Sequence, residues 1–160
     1  MSDAAVYSAQ DAAEEIYREE FPGGYDMHNV SAGDLPAYLM AALQSAGFPF
    51  DEAPEYRLDI PDEHEWAGGY HFGPDGEYLR FHPRLLRPWI VLHELAHWLT
   101  PGNSHGPSFC GALLRLVRGT IHPEAASVLK EQFEAHGVLY SECDADGWRR
   151  FMLPVLHGPL

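Results

Sequence analysis

Apolar side chains recur along this chain with a helical period in five stretches and as short extended runs in three. Between Ala4 and Glu20, the residues Val6, Ala9, Ala13, Ile16, Tyr17 and Phe21 fall near one side of a helix with acids on the other, and Phe21-Pro22-Gly23-Gly24 supplies the stop. A second helix is predicted from Leu35 to Ala46, with Asp34 as N-cap, Pro36 in the first turn, an apolar series of Leu35, Leu39, Ala42 and Leu43, and Gly47 as terminator. Phe48 to Pro54, rich in proline and acids, reads as a loop. Extended runs follow at Tyr56–Ile60, Trp66–Phe72 and Glu77–His82. The last two flank Gly73-Pro74-Asp75-Gly76, residues suited to a tight turn, so a hairpin is expected there. Further helices are predicted over Pro88–Thr100, from Pro107 to about Arg118, and from Pro123 to His136 with Gly137 as the stop. Beyond Val138 the periodicity fades into a tail, with a short helix expected near Trp148–Met152.

The Pro88–Thr100 helix carries the candidate chemistry. Its sequence, PWIVLHELAHWLT, surrounds it with Trp89, Ile90, Val91, Leu92, Leu95, Ala96, Trp98 and Leu99, so it must be buried on nearly every side. The only ionisable residues inside it are His93, Glu94 and His97, and leaving such groups unpaired in a core costs several kcal/mol. At about 100° per residue, His93 and His97 project within about 40° of each other and Glu94 lies about 60° further round. Two imidazoles one turn apart can chelate one zinc ion, and a carboxylate at the second position can reach a water on that ion. His105 follows just past the Thr100-Pro101-Gly102-Asn103 turn, close enough for the chain to reverse and present a third imidazole. Three protein ligands leave a fourth tetrahedral position open, the arrangement of a catalytic zinc site. The candidate site is therefore His93, His97 and His105 as metal ligands for one Zn2+, with Glu94 as catalytic base.

Composition sets the limits around that motif. With 160 residues and 46% hydrophobic side chains the chain has surface enough for one core and is read as a single domain. Within it, residues 1–54 form a mainly helical part, 55–137 a catalytic core and 138–160 a tail. A net charge of −14 gives no support to nucleic-acid binding. The charge is uneven: residues 1–65 hold fifteen acids against Arg18 and Arg57, whereas Tyr78–Gly119 holds Arg80, Arg84, Arg87, Arg115 and Arg118 against Glu94 alone. Either the two regions complement one another or face solvent, or the arginines rim the site for an acidic or nucleic-acid-associated substrate. No basic N-terminal region and no run near about 18 apolar residues is present, so a soluble, cytoplasmic protein without membrane association is expected. Cys110 and Cys143 form no CxxC pair and are read as packing or surface thiols.

The segment HELAHWLTPGNSHGPSF resembles the active-site segment of SprT/Spartan-like zinc metallopeptidases, in which an HExxH helix is followed by a short connection and an HGxxF segment with the third histidine. His93, Glu94, His97, His105, Gly106 and Phe109 stand at the matching positions. Together with the preceding LRFHPRLLRPWIVL and the following helix, it is also similar to HExxH metallohydrolases of actinobacteria and their phages. The likeness is specific over about residues 66–119 and diffuse out to Val138. It implies an α+β, zincin-like metallopeptidase, with the HExxH helix beside a short antiparallel β-sheet or hairpin and a protein or peptide substrate laid in extended form along a strand. Family members that act on DNA-bound substrates usually carry a zinc ribbon or another DNA-binding appendage, and this chain has neither the cysteines nor a basic tail for one.

The chemistry expected of such a site is hydrolysis by a zinc-activated water whose proton Glu94 takes and returns to the leaving amine. A donor to the tetrahedral oxyanion is also expected, with Tyr70, His71, His82, His122 and Tyr140 as candidates that otherwise serve packing or surface. The alternative class is a binding or regulatory module, in a phage or host-interaction setting, that keeps zinc as a structural clip. Glu94 discriminates, because a structural site needs no carboxylate beside an open metal position.

Overall fold

The five periodic stretches all form helices in the computed structural model, which describes residues 3–21, 28–60, 68–142 and Arg149. In chain order these are α1 (Asp3–Glu20), α2 (Leu35–Ser45), α3 (Pro88–Leu99), α4 (Pro107–Thr120) and α5 (Pro123–Ala135), with β1 (Tyr56–Leu58), β2 (Gly68–Gly73) and β3 (Gly76–Phe81) between α2 and α3. The architecture among the described residues is α+β, five helices and one small sheet. Helices α2 to α5 each start with proline in the first turn, where its missing N–H is one that no helical carbonyl would have met. Asp34 stands at the N-cap of α2, yet its side chain makes no capping bond there. His122 does cap: its Nδ1 accepts from the Glu124 N–H at 3.1 Å at the start of α5.

The sheet corrects one expectation. Strands β2 and β3 form the antiparallel hairpin, with Tyr70 opposite Leu79 and Gly73 opposite Gly76. Strand β1, however, pairs parallel to β3 with Tyr56 opposite Leu79, so the order is β1-β3-β2 and the sheet is mixed rather than antiparallel. A strand joined to a hairpin by a long connection is free to take either edge, and the alternation of apolar residues does not choose between them. The choice of β3 leaves β2 at the edge of the sheet among the described residues, on the side that meets the candidate site.

Helix α3 lies at the centre, against β2, β3, α2 and α4, while α5 packs on both α1 and α4. Leu92, Leu95 and Leu99 of α3 are fully buried with Phe109 and Leu113 of α4 and Leu129 of α5. Helix α4 has glycine at two points of close approach. A Cβ on Gly111 would stand 1.7 Å from the Ser141 carbonyl oxygen, and one on Gly119 would stand 2.5 Å from that of Ser45.

The two oppositely charged regions meet in the fold. Arg87 pairs with Glu14 at 3.5 Å and Arg80 with Asp59 at 3.2 Å, as the complementary-charge reading requires. Arg115 donates to the Ala46 carbonyl at 3.0 Å and lies over the Phe48 ring. In the C-terminal region Arg149 is buried: it donates to the Trp98 carbonyl at 2.8 Å, lies over the Trp98 ring and grips Glu77 at 2.6 and 2.9 Å. The rest of the helix expected near Trp148–Met152 falls outside the described residues, as do Cys143, Trp66, His64 and His157. Cys110 is buried and free. No helix among the described residues is long and apolar enough to cross a membrane.

Candidate metal centre

Local sequence explains how three imidazoles converge. His93 and His97 stand one turn apart on α3, and the chain leaves that helix through Thr100, whose hydroxyl donates to the Ala96 carbonyl at 2.8 Å. Gly102 and Ser104 then take left-handed backbone angles, φ +80° and +56°, which turn the chain back over the helix end. For Ser104 that conformation costs about 1 kcal/mol, and it delivers the next residue, His105, to the site. Asn103 holds the far side of the turn by accepting from the Phe109 N–H at 2.9 Å. The His105 Nε2 comes to rest 3.1 Å from the Nε2 of His93 and 3.1 Å from that of His97. One ligating atom from each residue lies within 4.8 Å of the others, a group that can hold a metal ion.

The surroundings decide which nitrogens carry protons. The Gln10 amide donates to the Trp89 carbonyl at 3.2 Å, and a carbonyl only accepts, so the Gln10 NH2 is fixed on that side. Its Oε1 therefore faces the His93 Nδ1, 2.6 Å away, and that nitrogen must be the donor. Likewise the Asp3 carboxylate, 3.1 Å from the His105 Nδ1, accepts from it. With its proton on Nδ1, neutral His93 turns a bare Nε2 lone pair toward the His105 Nε2, 3.1 Å away, where the two nitrogens can share a cation. Burial first, and then His97 and His105, drive the His93 pKa well below its ordinary value. Burial, followed by His105, lowers that of His97 to about 3. A small tetrahedral metal ion fits well: nitrogens bonded at about 2.0 Å lie about 3.3 Å apart.

Helix α1 thus supplies what the motif lacks. Asp3, Tyr7, Gln10 and Glu14 are spaced three and four apart along one stripe of α1. Tyr7 stacks on His93, with centroids 5.2 Å apart, and meets His105 edge-on at 5.0 Å. The Phe109 ring lies 4.4 to 4.9 Å from all three imidazoles and forms an apolar floor. Replacing Gln10 by Leu is expected to lower metal affinity about 10- to 100-fold with the fold retained, as read by competition with a chromogenic chelator, because the His93 tautomer is no longer fixed. Unchanged affinity would dismiss that role.

Glu94 sits beside the histidines without joining them. It is 5% exposed, its Oε1 lies 3.9 Å from the His93 Nε2, and its Oε2 has no hydrogen-bond partner. Burial raises its pKa to about 8. Strand β2 passes directly over it: a Cβ on Gly68 would stand 2.8 Å from the Glu94 Cγ. On one side of this contact is a cavity of about 220 Å3 lined by Tyr7, Gln10, Glu14, Arg87, His93 and Glu94. On the other is an open cleft of about 460 Å3 with Tyr7, Gly68, Tyr70, Glu94 and His97 in its walls. Arg87 thus lines the smaller cavity as well as pairing with Glu14.

Of the five oxyanion-donor candidates only Tyr70 borders the cleft, and its hydroxyl donates to Glu77. His71 pairs with Asp75 at 2.7 Å in the hairpin, His82 accepts from the Arg84 N–H, His122 caps α5, and Tyr140 donates to Glu134 at 2.7 Å. Asp3, Tyr7 and Gln10 escaped the sequence reading. For Gln10 a signal existed, since it stands on the apolar face between Val6 and Ala13 and is 7% exposed. Comparison with protein-family models, curated proteins and solved structures returns no match to this chain.

Proposed function

We propose that this chain is a zinc-dependent hydrolase of peptide bonds, built on a zincin-like fold of the SprT/Spartan type that its HExxH and HGxxF segments resemble. The observation that carries the proposal is the Glu94 carboxylate, buried with an unpartnered Oε2 beside a group of three histidines and bordering an open cleft. Keeping an acid in that position costs stability, and a metal clip has no use for it.

Bound zinc would supply Lewis acidity, polarising a substrate carbonyl and making a water acidic near neutral pH. His93, His97 and His105 would hold the ion, with Gln10 and Asp3 orienting two of them. Glu94 takes the proton of the attacking water and returns it to the leaving amine; its burial keeps competing water from the exchange. Strand β2, at the sheet edge among the described residues and with Gly68, Gly69 and Tyr70 lining the cleft, offers its backbone to a peptide in extended form. Protein purified without added metal is expected to contain about one zinc ion per chain by elemental analysis. Its cleavage of unfolded proteins, followed by mass spectrometry, should stop on chelation and return with zinc. Absence of stoichiometric zinc would sink the proposal.

A further inference from the structure

Attack on a carbonyl moves charge onto its oxygen, and a donor aimed at that developing charge accelerates the reaction more than one that binds only the ground state. Four hydroxyl side chains line the cleft, Tyr7, Tyr70, Thr100 and Ser104, and of these Tyr7 has its ring against two of the imidazoles. Tyr70 has committed its proton to Glu77, which Arg149 holds in turn, and the Thr100 hydroxyl donates to the Ala96 carbonyl. Tyr7 lines the same cleft from α1. Its ring covers His93 and His105, it lines both spaces that Glu94 lines, and it is 48% exposed. Among the described residues its hydroxyl has no hydrogen-bond partner.

The rest of its stripe on α1 is anchored: Asp3 to His105, Gln10 to His93 and Trp89, and Glu14 to Arg87. Tyr7 is thus carried on a helix fixed to the site on either side of it. We propose that Tyr7 donates a hydrogen bond to the substrate oxyanion that forms at this site, a catalytic role contributed by the N-terminal helix. This rests on the hydrolase reading above. In the step, the water oxygen bonds to the carbonyl carbon, the carbonyl electron pair moves to oxygen, and Tyr7 stabilises it while keeping its own proton. Glu94 holds the water's proton and delivers it to nitrogen as the C–N bond breaks.

Tyr7→Phe tests this directly, because it removes the hydroxyl and keeps the ring on the imidazoles. With a peptide that the full-length, zinc-loaded chain cleaves, kcat should fall about 100-fold at unchanged KM and unchanged zinc affinity. Binding of a phosphinic analogue of that peptide, measured by calorimetry, should weaken in parallel. Tyr7→Ala, which also removes the stacking ring, should lose zinc affinity as well. Equal kcat and equal analogue binding in Tyr7→Phe would overturn the assignment of Tyr7 alone, as would a loss of zinc in that variant sufficient to explain its activity. A wild-type chain that binds zinc but cleaves nothing overturns the hydrolase reading and this assignment with it.

Discussion

Replacing Glu94 by Gln is expected to lower turnover about a thousandfold while zinc stays bound at the level of the unsubstituted chain. The amide keeps the shape against which the Gly68 backbone packs, 2.8 Å from a would-be Cβ to the Glu94 Cγ, so the site is not rebuilt. What changes is the ability to hold a proton in transit. Glu94 is not one of the three converging ligands, and metal retention should not depend on it. Its Oε2 has no partner in the folded chain, so thermal stability should be equal or higher in the variant. Kinetics, zinc content and melting temperature on one preparation check all three statements. A variant that loses zinc and activity together would make Glu94 a structural residue, and one that keeps activity would remove it from the mechanism.

The largest loss of stability is expected from Gly111→Ala, a change distant from the chemistry. The added Cβ would fall 1.7 Å from the Ser141 carbonyl oxygen and 2.4 Å from its carbon, both backbone atoms that no rotamer change can move. That strand of chain is tied down: the Ser141 N–H donates to the Pro107 carbonyl at 2.9 Å, Tyr140 donates to Glu134, and Arg118 pairs with Glu142. Alanine is the better helix former by about 1 kcal/mol, which offsets only part of the overlap. A net cost of about 3 kcal/mol, or about 6–12 °C in melting temperature, is expected. Calorimetry decides it, and a melting temperature within about 2 °C of the parent would mean that the segment after α5 is not held where it lies.

Much of the candidate site was legible because its determinants are local. The spacing of His93, Glu94 and His97 on one helix, the glycine and proline turn after it, and His105 at the start of the next helix all lie within thirteen consecutive residues. Helical geometry alone turns that spacing into a shared face. The hairpin was legible for the same reason, since Gly73 and Gly76 bracket a turn between two short apolar runs. The pairing of β1 with β3 was not, because alternation fixes which side of a strand is buried and says nothing about which edge it joins.

The sequence by itself determined the five helices, the hairpin and the three histidines with their neighbouring carboxylate, each from periodicity and turn chemistry within a few residues. Only the tertiary structure decided that α1 completes the site. Gln10 reaches His93 across 83 positions and Asp3 reaches His105 across 102. A helical pattern identifies the residues that share a face; what the face meets is set by the packing of the whole core, where α1 lies on α5, α5 on α4, and α4 on α3.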